Sequence, residues 1–444
     1  MAGKTKKYWA AFPDDPKLGT MTADTVHWND LFARRAGRTK PSALRQLMKL
    51  LSRPGMISFA GGLPAAELFA LGQVESAVHA VFQRVGGAAL QYGETEGIPE
   101  LRQWVAHRYA TPQMPLKPEN VLITSGSQQV IDLVGRVFLN ARDRVIVENP
   151  TYLAALQAWR AYETCFLPVA MDAQGLRPDD FEIRLQQGAK LAYVMPNFHN
   201  PTGVTLARER RQRLITLLQR HETVLVEDDP YVELRYEGEA LPGLLALDRP
   251  PDQGGRVIRA GTFSKTLMPG LRIGWAIGPQ EVIVQLAKAK QAVDLHTSTF
   301  NQFVALELVH RGYLEQSLPV LRQTYRERRD AMLTAMAEHF PAGCQWNKPE
   351  GGMFIFVTLP KDVAAADLLP RALERNVAFV PGQDFHLEGQ GLNTLRLNFT
   401  KNPVPEILAG IKCLGEVLTP VVAAATRPPG AATTRAASTE VVLA

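Results

Sequence analysis

Ala260-Gly-Thr-Phe-Ser-Lys-Thr-Leu-Met-Pro-Gly-Leu-Arg-Ile-Gly274 continues a short apolar run that begins with Val257 and Ile258. The run reads as a strand, and the small and polar residues after it read as a turn. Lys265 sits in that turn, seven residues before Arg272. A lysine there can reach the carbonyl of a bound molecule and hold it covalently. An arginine one loop further on can clamp a phosphate. Taken alone the segment also fits a common Ser-Lys loop, so its weight depends on what surrounds it.

Apolar strand-like runs alternate with helical patterns on either side, from about residue 72 to 310. Val121-Leu-Ile-Thr124, Val145-Ile-Val147, Leu191-Ala-Tyr-Val-Met195 and Val224-Leu-Val-Glu227 belong to this series. The rhythm predicts an α/β fold with a mostly parallel sheet covered by helices. From about 315 to 418 the pattern becomes helix, short strands at 353–359 and 395–399, then helix, which predicts a smaller α+β domain. Short helical patterns precede the main body at 28–36 and 42–51, and Ser42 can N-cap the second. The expected division is 1–60 as an N-terminal extension and arm contributing to the small domain and substrate site, then 61–312 as the large domain. A small C-terminal domain at 313–418 follows. Residues 419–444, rich in Ala, Thr and Pro, are expected to be disordered.

Composition narrows the function classes. The 444 residues are 46% hydrophobic and 21% charged, enough apolar material for a large domain and a smaller one. The net charge of +5 is spread thinly, and its densest run, 208–213, contains Glu209. Residues 207–220 read as an amphipathic helix with Leu214, Ile215, Leu217 and Leu218 inward and the arginines solvated, so no nucleic-acid partner is expected. Cys165, Cys344 and Cys413 form no CxxC pair, which suggests neither a disulfide framework nor a metal site. No uninterrupted apolar stretch reads as a membrane span, and the N-terminus lacks the apolar core of a signal peptide. The expectation is a soluble cytoplasmic protein with no membrane partner.

Five further segments carry chemistry. Thr124-Ser-Gly-Ser-Gln-Gln129 is a glycine turn feeding a helix N-terminus, where free N–H groups and the helix dipole favour an anion. Ser127 and Gln128 add side-chain donors. Glu227-Asp-Asp-Pro-Tyr231 lies at a strand end, where ligands of open α/β sheets bind. A carboxylate there can pair with a protonated pyridine nitrogen. Asp228 is preferred over Asp229 because Tyr231, three residues on, can donate to a ring hydroxyl. Asn197-Phe-His-Asn-Pro-Thr-Gly203 places Asn200 in a turn shaped by Pro201 and Gly203, within reach of the same oxygen. His199 reads as structural. Tyr152, after the strand at 145–147, suits stacking on a flat ring. Arg396, inside the alternating strand Thr394-Leu-Arg-Leu-Asn398, suits a bidentate fork onto a carboxylate. Singly, these also fit an N-capped helix, two loop aspartates, an Asn-Pro turn, a core aromatic and an internal salt bridge. Together they supply what pyridoxal 5'-phosphate (PLP) needs: a lysine, a phosphate cup, a ring-nitrogen partner and a ring-oxygen partner.

With these segments assembled, residues 28–418 resemble fold-type I PLP-dependent aminotransferases. The likeness is strongest to the 2-aminoadipate/kynurenine-type branch, which is related to the effector domains of MocR-type regulators. It rests on eight segments in order: Ser58-Phe-Ala-Gly-Gly-Leu-Pro64, Leu90-Gln-Tyr-Gly-Glu-Thr-Glu-Gly97, Ile123-Thr-Ser-Gly-Ser-Gln-Gln129, Asn200-Pro-Thr-Gly203, Glu227-Asp-Asp-Pro-Tyr231, Gly261-Thr-Phe-Ser-Lys265, Gly270-Leu-Arg-Ile-Gly274 and Asn393-Thr-Leu-Arg396. The resemblance implies a mostly parallel sheet of the seven-stranded type in the large domain. It implies that Lys265 carries PLP covalently and then shuttles the proton, with Asp228 and Tyr152 completing the catalytic set. Asn200 and Tyr231 would bind the ring oxygen, and Ser127, Gln128, Ser264 and Arg272 the phosphate. Tyr92 would reach the phosphate of a neighbouring subunit, which implies a homodimer with shared sites. Arg396 would bind the substrate carboxylate, near Gly61, Gly62 and Asn200, and Arg45 would contact acidic substrate side chains.

The implied reaction moves an amino group from an L-amino acid (2-aminoadipate, glutamate, aromatic or aliphatic) to a 2-oxo acid such as 2-oxoglutarate, with ping-pong kinetics. The same motifs would bind PLP in a lyase, a decarboxylase or an oxidase, and the fold also hosts sensing. A PLP-sensing regulator needs a DNA-binding module, and about 40 residues ahead of the matched core are too few for one.

Overall fold

Five parallel strands form the centre of an eight-stranded sheet in the computed structural model, which describes residues 27–33, 36–37, 55–387 and 389–425. The strand order is Val121–Thr124, Gly274–Ile277, Val257–Thr262, Val224–Asp228, Leu191–Val194, Arg144–Asn149, Cys165–Asp172 and Gly175–Leu176. The third to seventh of these pair in parallel. Gly274–Ile277 runs against both its neighbours. Seven strands thus make the body of the sheet, and the two-residue Gly175–Leu176 extends its edge antiparallel. Every residue of Leu191–Val194 and Val257–Thr262 is buried, as parallel strands covered on both faces must be.

A second, antiparallel sheet has the order Gln345–Trp346, Phe354–Thr358, Thr394–Asn398, Val380–Pro381. Ile57–Ser58 pairs with Val377–Ala378 beside it, tying the early chain to this part of the molecule. One hydrophobic cluster runs through both sheets, joining Val226 and Ile258 to Phe354, Leu395 and Leu397.

The structure departs from the sequence reading in several places. Cys165–Asp172 is a further strand, apolar in sequence but near the sheet edge, where only Val169 is fully buried. Gly274–Ile277 is a strand of four residues starting on a glycine. In the helix Arg208–Leu218, Leu214, Ile215, Leu217 and Leu218 are buried as expected, but so is Arg211. Its guanidinium donates to the carbonyls of Leu206, Pro196 and Pro242 and to Asn197 Oδ1, so four acceptors replace water. Within the helical pattern at 28–36, Trp28–Leu31 is a helix with no buried residue, and the pattern at 42–51 lies outside the described residues.

At the far end, residues 419–425 are not disordered: they continue the helix Val404–Ala425. With a mean hydropathy of 1.7, this is the one helix among the described residues long and apolar enough to cross a membrane. Glu406, Lys412 and Glu416 interrupt it, and Ile407, Ile411, Leu414 and Leu418 are buried as it packs along Tyr313–His339. Its apolarity is accounted for by a core face.

Candidate active site

Parallel strands end on the same edge of a sheet, so the turns that follow them meet there. Tyr152 follows Arg144–Asn149, Asn200 follows Leu191–Val194, Asp228 closes Val224–Asp228, and Ser264 and Lys265 follow Val257–Thr262. Val121–Thr124 runs in the same direction and delivers Ser127 and Gln128. All seven line one cavity of about 250 Å³, together with Gly62, Tyr231, Arg272 and Arg396.

Lys265 Nζ donates to the carbonyl of Gly62 at 2.8 Å. Burial, reinforced by the positive Arg272 and Arg396, lowers its pKa to about 8. The amine is therefore far easier to deprotonate than an exposed lysine.

The anion cup is made at the start of the helix Ser127–Phe138, where Gly126 has φ +85°. Arg272 reaches over from the next loop, its Nη2 donating to Ser125 O at 3.1 Å. Arg272 itself sits at φ +54°, a left-handed conformation that costs a non-glycine residue about 1–2 kcal/mol. A Cβ on Gly126 would lie 2.6 Å from Arg272 Nη2, and one on Gly274 would lie 2.6 Å from the backbone of Gly126 and Ser127. Glycine at both positions lets the two loops close together.

The adjacent aspartates point to different partners. Asp228 lines the cavity, and its Oδ2 accepts from Tyr193 Oη at 2.5 Å. Asp229 accepts from Arg259 Nη2 at 2.7 Å and from Asn197 Nδ2 at 2.9 Å. Arg259 also donates to Glu227 at 2.9 Å. Burial opposes its charge, but these two carboxylates outweigh burial and hold it protonated. Burial raises the Asp228 pKa to about 7, with Tyr193 pulling it down and the charge of Asp229 pushing it up. Asp228 Oδ1 is buried with no protein partner.

Arg396 is almost fully buried, which lowers its pKa to about 10. Its Nη1 donates to Asn200 Oδ1 and its Nη2 to Ala60 O, both at 2.6 Å. The guanidinium lies over the rings of Phe354 and Phe385, at 4.2 and 4.9 Å from their centroids. Burial also raises the Tyr152 hydroxyl to about 12 and pushes Tyr231 higher still, so both phenols stay protonated donors.

Among the described residues, two of those expected do not line this cavity, and a third cannot be placed against it. Gly61 is buried beside it, Tyr92 is 78% exposed with its ring edge against His296, and Arg45 lies outside the described residues. Met195, Thr262 and Phe354 line it without having been singled out. Met195 was legible as the last residue of a predicted strand and Thr262 as part of the Gly261–Lys265 segment, whereas Phe354 belongs to the second sheet and carries no motif. His199 is fully buried, with Nδ1 2.9 Å from Thr202 Oγ1 and Nε2 3.4 Å from Glu148, and it stays off the cavity wall.

Residues 60–411 match the family model for class I and II aminotransferases. The chain is 42% identical over 408 residues to aromatic-amino-acid aminotransferase 1 of Thermococcus litoralis, covering 90% of this chain and 96% of that one. It is 42% identical over 395 residues to the 2-aminoadipate transaminase of Thermus thermophilus, covering 88% and 98%. Among solved structures it superposes with a TM-score of 0.84 and 40% identity on the alpha-aminoadipate aminotransferase of Thermus thermophilus complexed with N-(5'-phosphopyridoxyl)-L-leucine, covering 90% of this chain and 100% of that one. The chain belongs to the class I and II aminotransferases, as a PLP-dependent enzyme of fold type I that exchanges amino groups between amino acids and oxo acids.

Proposed function

We propose that the residues around the cavity divide the work of transamination by position. The observation that carries this reading is that Lys265, Asp228 and Arg396 face one cavity from three separate stretches of chain. The donor set fits PLP. The cup of Ser127, Gln128, Ser264 and Arg272 suits the phosphate, at the positive end of a helix. The unpartnered Asp228 Oδ1 suits the protonated ring nitrogen. Asn200 and Tyr231 suit the ring oxygen, and Tyr152 suits the ring face.

When bound, PLP supplies a cationic ring that accepts the electron pair left at the substrate Cα. Asp228 keeps that ring nitrogen protonated. Arg396 grips the substrate α-carboxylate as a fork, which sets Cα within reach of Lys265. Lys265, as a neutral amine, would take the proton from the substrate Cα and hold it for return on the cofactor's side of the cavity. Its contact with Gly62 O aims the amine across the cavity. Phe354 and Met195 form an apolar wall that limits water beside the reacting atoms.

We take the donors to be amino acids of the 2-aminoadipate, glutamate, aromatic or aliphatic kind, and the acceptor to be a 2-oxo acid such as 2-oxoglutarate. The aromatic and 2-aminoadipate activities named for the relatives support this range. Arg45 is assigned to acidic side chains within it. The active form is taken to be a homodimer in which Tyr92 reaches the partner's phosphate. Leu90, Tyr92 and Leu295 are exposed, and Tyr92 meets the ring of His296, the chain neighbour of Leu295, which suits a contact surface. Residues 61–312 and 313–425 are taken as the two domains, each built on its own sheet, and the location as cytoplasmic.

The test is the visible spectrum of the purified holoenzyme, titrated with a panel of amino acids without any oxo acid. Conversion of the cofactor to its pyridoxamine form by one group of donors, with one equivalent of oxo acid released, is the expected result. Loss of carbon dioxide or ammonia without that conversion would overturn it. Sedimentation at micromolar concentration checks the dimer.

A further inference from the structure

Tyr193 does not line the cavity, yet it is hydrogen-bonded to one of the groups that does. It lies on Leu191–Val194, the strand next to Val224–Asp228, and its register partner is Val226. Side chains two apart on a strand share a face, so Asp228 is the diagonal neighbour of Tyr193 on that face. A phenol is long enough to span that diagonal, and its hydroxyl meets Asp228 Oδ2 at 2.5 Å.

The ring has little freedom. Tyr193 is fully buried, and the Trp159 ring meets it edge-on at 5.5 Å and 86°. Trp159 is in turn anchored by its Nε1 donating to Ile131 O at 2.9 Å. Burial and the neighbouring Asp228 push the Tyr193 hydroxyl well above its ordinary pKa, so it stays a donor. A buried hydroxyl is costly unless bonded, and packing alone would be served by phenylalanine. The hydroxyl occupies one carboxylate oxygen and leaves the other, Oδ1, without a protein partner at the cavity.

We propose that Tyr193 is a positioning residue for the cofactor's ring nitrogen, acting through Asp228, an inference that rests on the assignment of Asp228 to that nitrogen. By holding Oδ2, Tyr193 turns Oδ1 toward the nitrogen and favours the ionised carboxyl against the opposing effect of burial. Asp229, one residue along, cannot substitute, because Arg259 and Asn197 already hold it.

The experiment is an equilibrium binding cycle. Dissociation constants are measured for PLP and for its 1-deaza analogue, in which carbon replaces the ring nitrogen, on wild type, Tyr193→Phe and Asp228→Asn. Tyr193→Phe should weaken PLP about tenfold or more, as expected for a lost hydrogen bond to a charged group, and the analogue by less than about twofold. Equal weakening of both ligands by Tyr193→Phe, while Asp228→Asn discriminates between them, would reduce Tyr193 to a packing residue and overturn the inference alone. Equal effects on both ligands from Asp228→Asn would overturn the assignment of Asp228, and the inference with it. Should Tyr193→Phe not fold, 3-fluorotyrosine incorporated at Tyr193 keeps the shape and strengthens the donor. It should tighten PLP relative to the analogue, and an unchanged ratio would count against the inference.

Discussion

Arg396 and Asn200, 196 residues apart, are joined by a 2.6 Å hydrogen bond from Nη1 to Oδ1. The bond links the second sheet to a turn of the large sheet. It couples the group assigned to the substrate carboxylate with the group assigned to the cofactor's ring oxygen. Two aromatic rings and Ala60 O hold the same guanidinium, which matches a carboxylate as a planar fork.

Arg396→Lys keeps the charge but loses the fork and the stacked plane, so it is not a conservative change. Losing a charge-assisted pair costs about 3 kcal/mol, so kcat/KM for α-amino acids should fall about 100-fold. Steady-state kinetics with two unlike donors checks this. A loss confined to one donor would place Arg396 at the side chain instead.

Lys265→Ala should bring turnover down by a factor of about 10⁴ or more, since both the attachment point and the proton carrier go. The far-ultraviolet circular dichroism should be unchanged. Normal turnover by this variant would remove the mechanism.

Capture of PLP by the cofactor-free protein needs the neutral Lys265 amine. With a pKa near 8, the neutral fraction rises about tenfold per pH unit below pH 8 and levels off above it. The rate of capture, followed by absorbance, should show that break near pH 8. The same shift acts on stability. Lys265 binds its proton less tightly folded than unfolded, so the penalty of burying its charge is fully present below about pH 8. That penalty is lifted as pH rises towards the ordinary lysine value. A break in capture appearing only above pH 10 would show an unperturbed lysine.

Gly274→Ala would drive a Cβ to 2.6 Å from the Gly126 and Ser127 backbone. Backbone cannot rotate away as a side chain can, so the cup must open. PLP affinity, measured by equilibrium dialysis, should fall by a factor of about 10 or more, the order expected for strain of 1–3 kcal/mol. Unchanged affinity would mean that the phosphate sits elsewhere.

Arg259→Met would leave Glu227 and Asp229 buried without their shared cation. Removing one partner of a buried ion pair costs about 3–5 kcal/mol. Urea unfolding under cofactor saturation should show that loss, with the far side of the sheet rather than the cavity as its origin. A change below about 1 kcal/mol would mean that water reaches both carboxylates.

The order of strand, turn and helix segments was enough to bring Lys265, Asp228, Asn200, Tyr152 and Ser127 together in advance. Parallel strands release their turns on one edge, so a residue just after each strand needs no long-range information to be placed. What depended on contact between distant segments was decided only by the tertiary structure. Adjacent Asp228 and Asp229 look alike in sequence, and they separate because the strand alternates faces, one towards Tyr193 and the cavity, the other towards Arg259. Arg211 reads as a solvated helix charge until four acceptors from three other stretches close around it. Phe354, Phe385 and Tyr193 are ordinary core aromatics in the sequence. Their roles beside Arg396 and Asp228 come from strand register and from the packing of one sheet against the other, neither of which local pattern records.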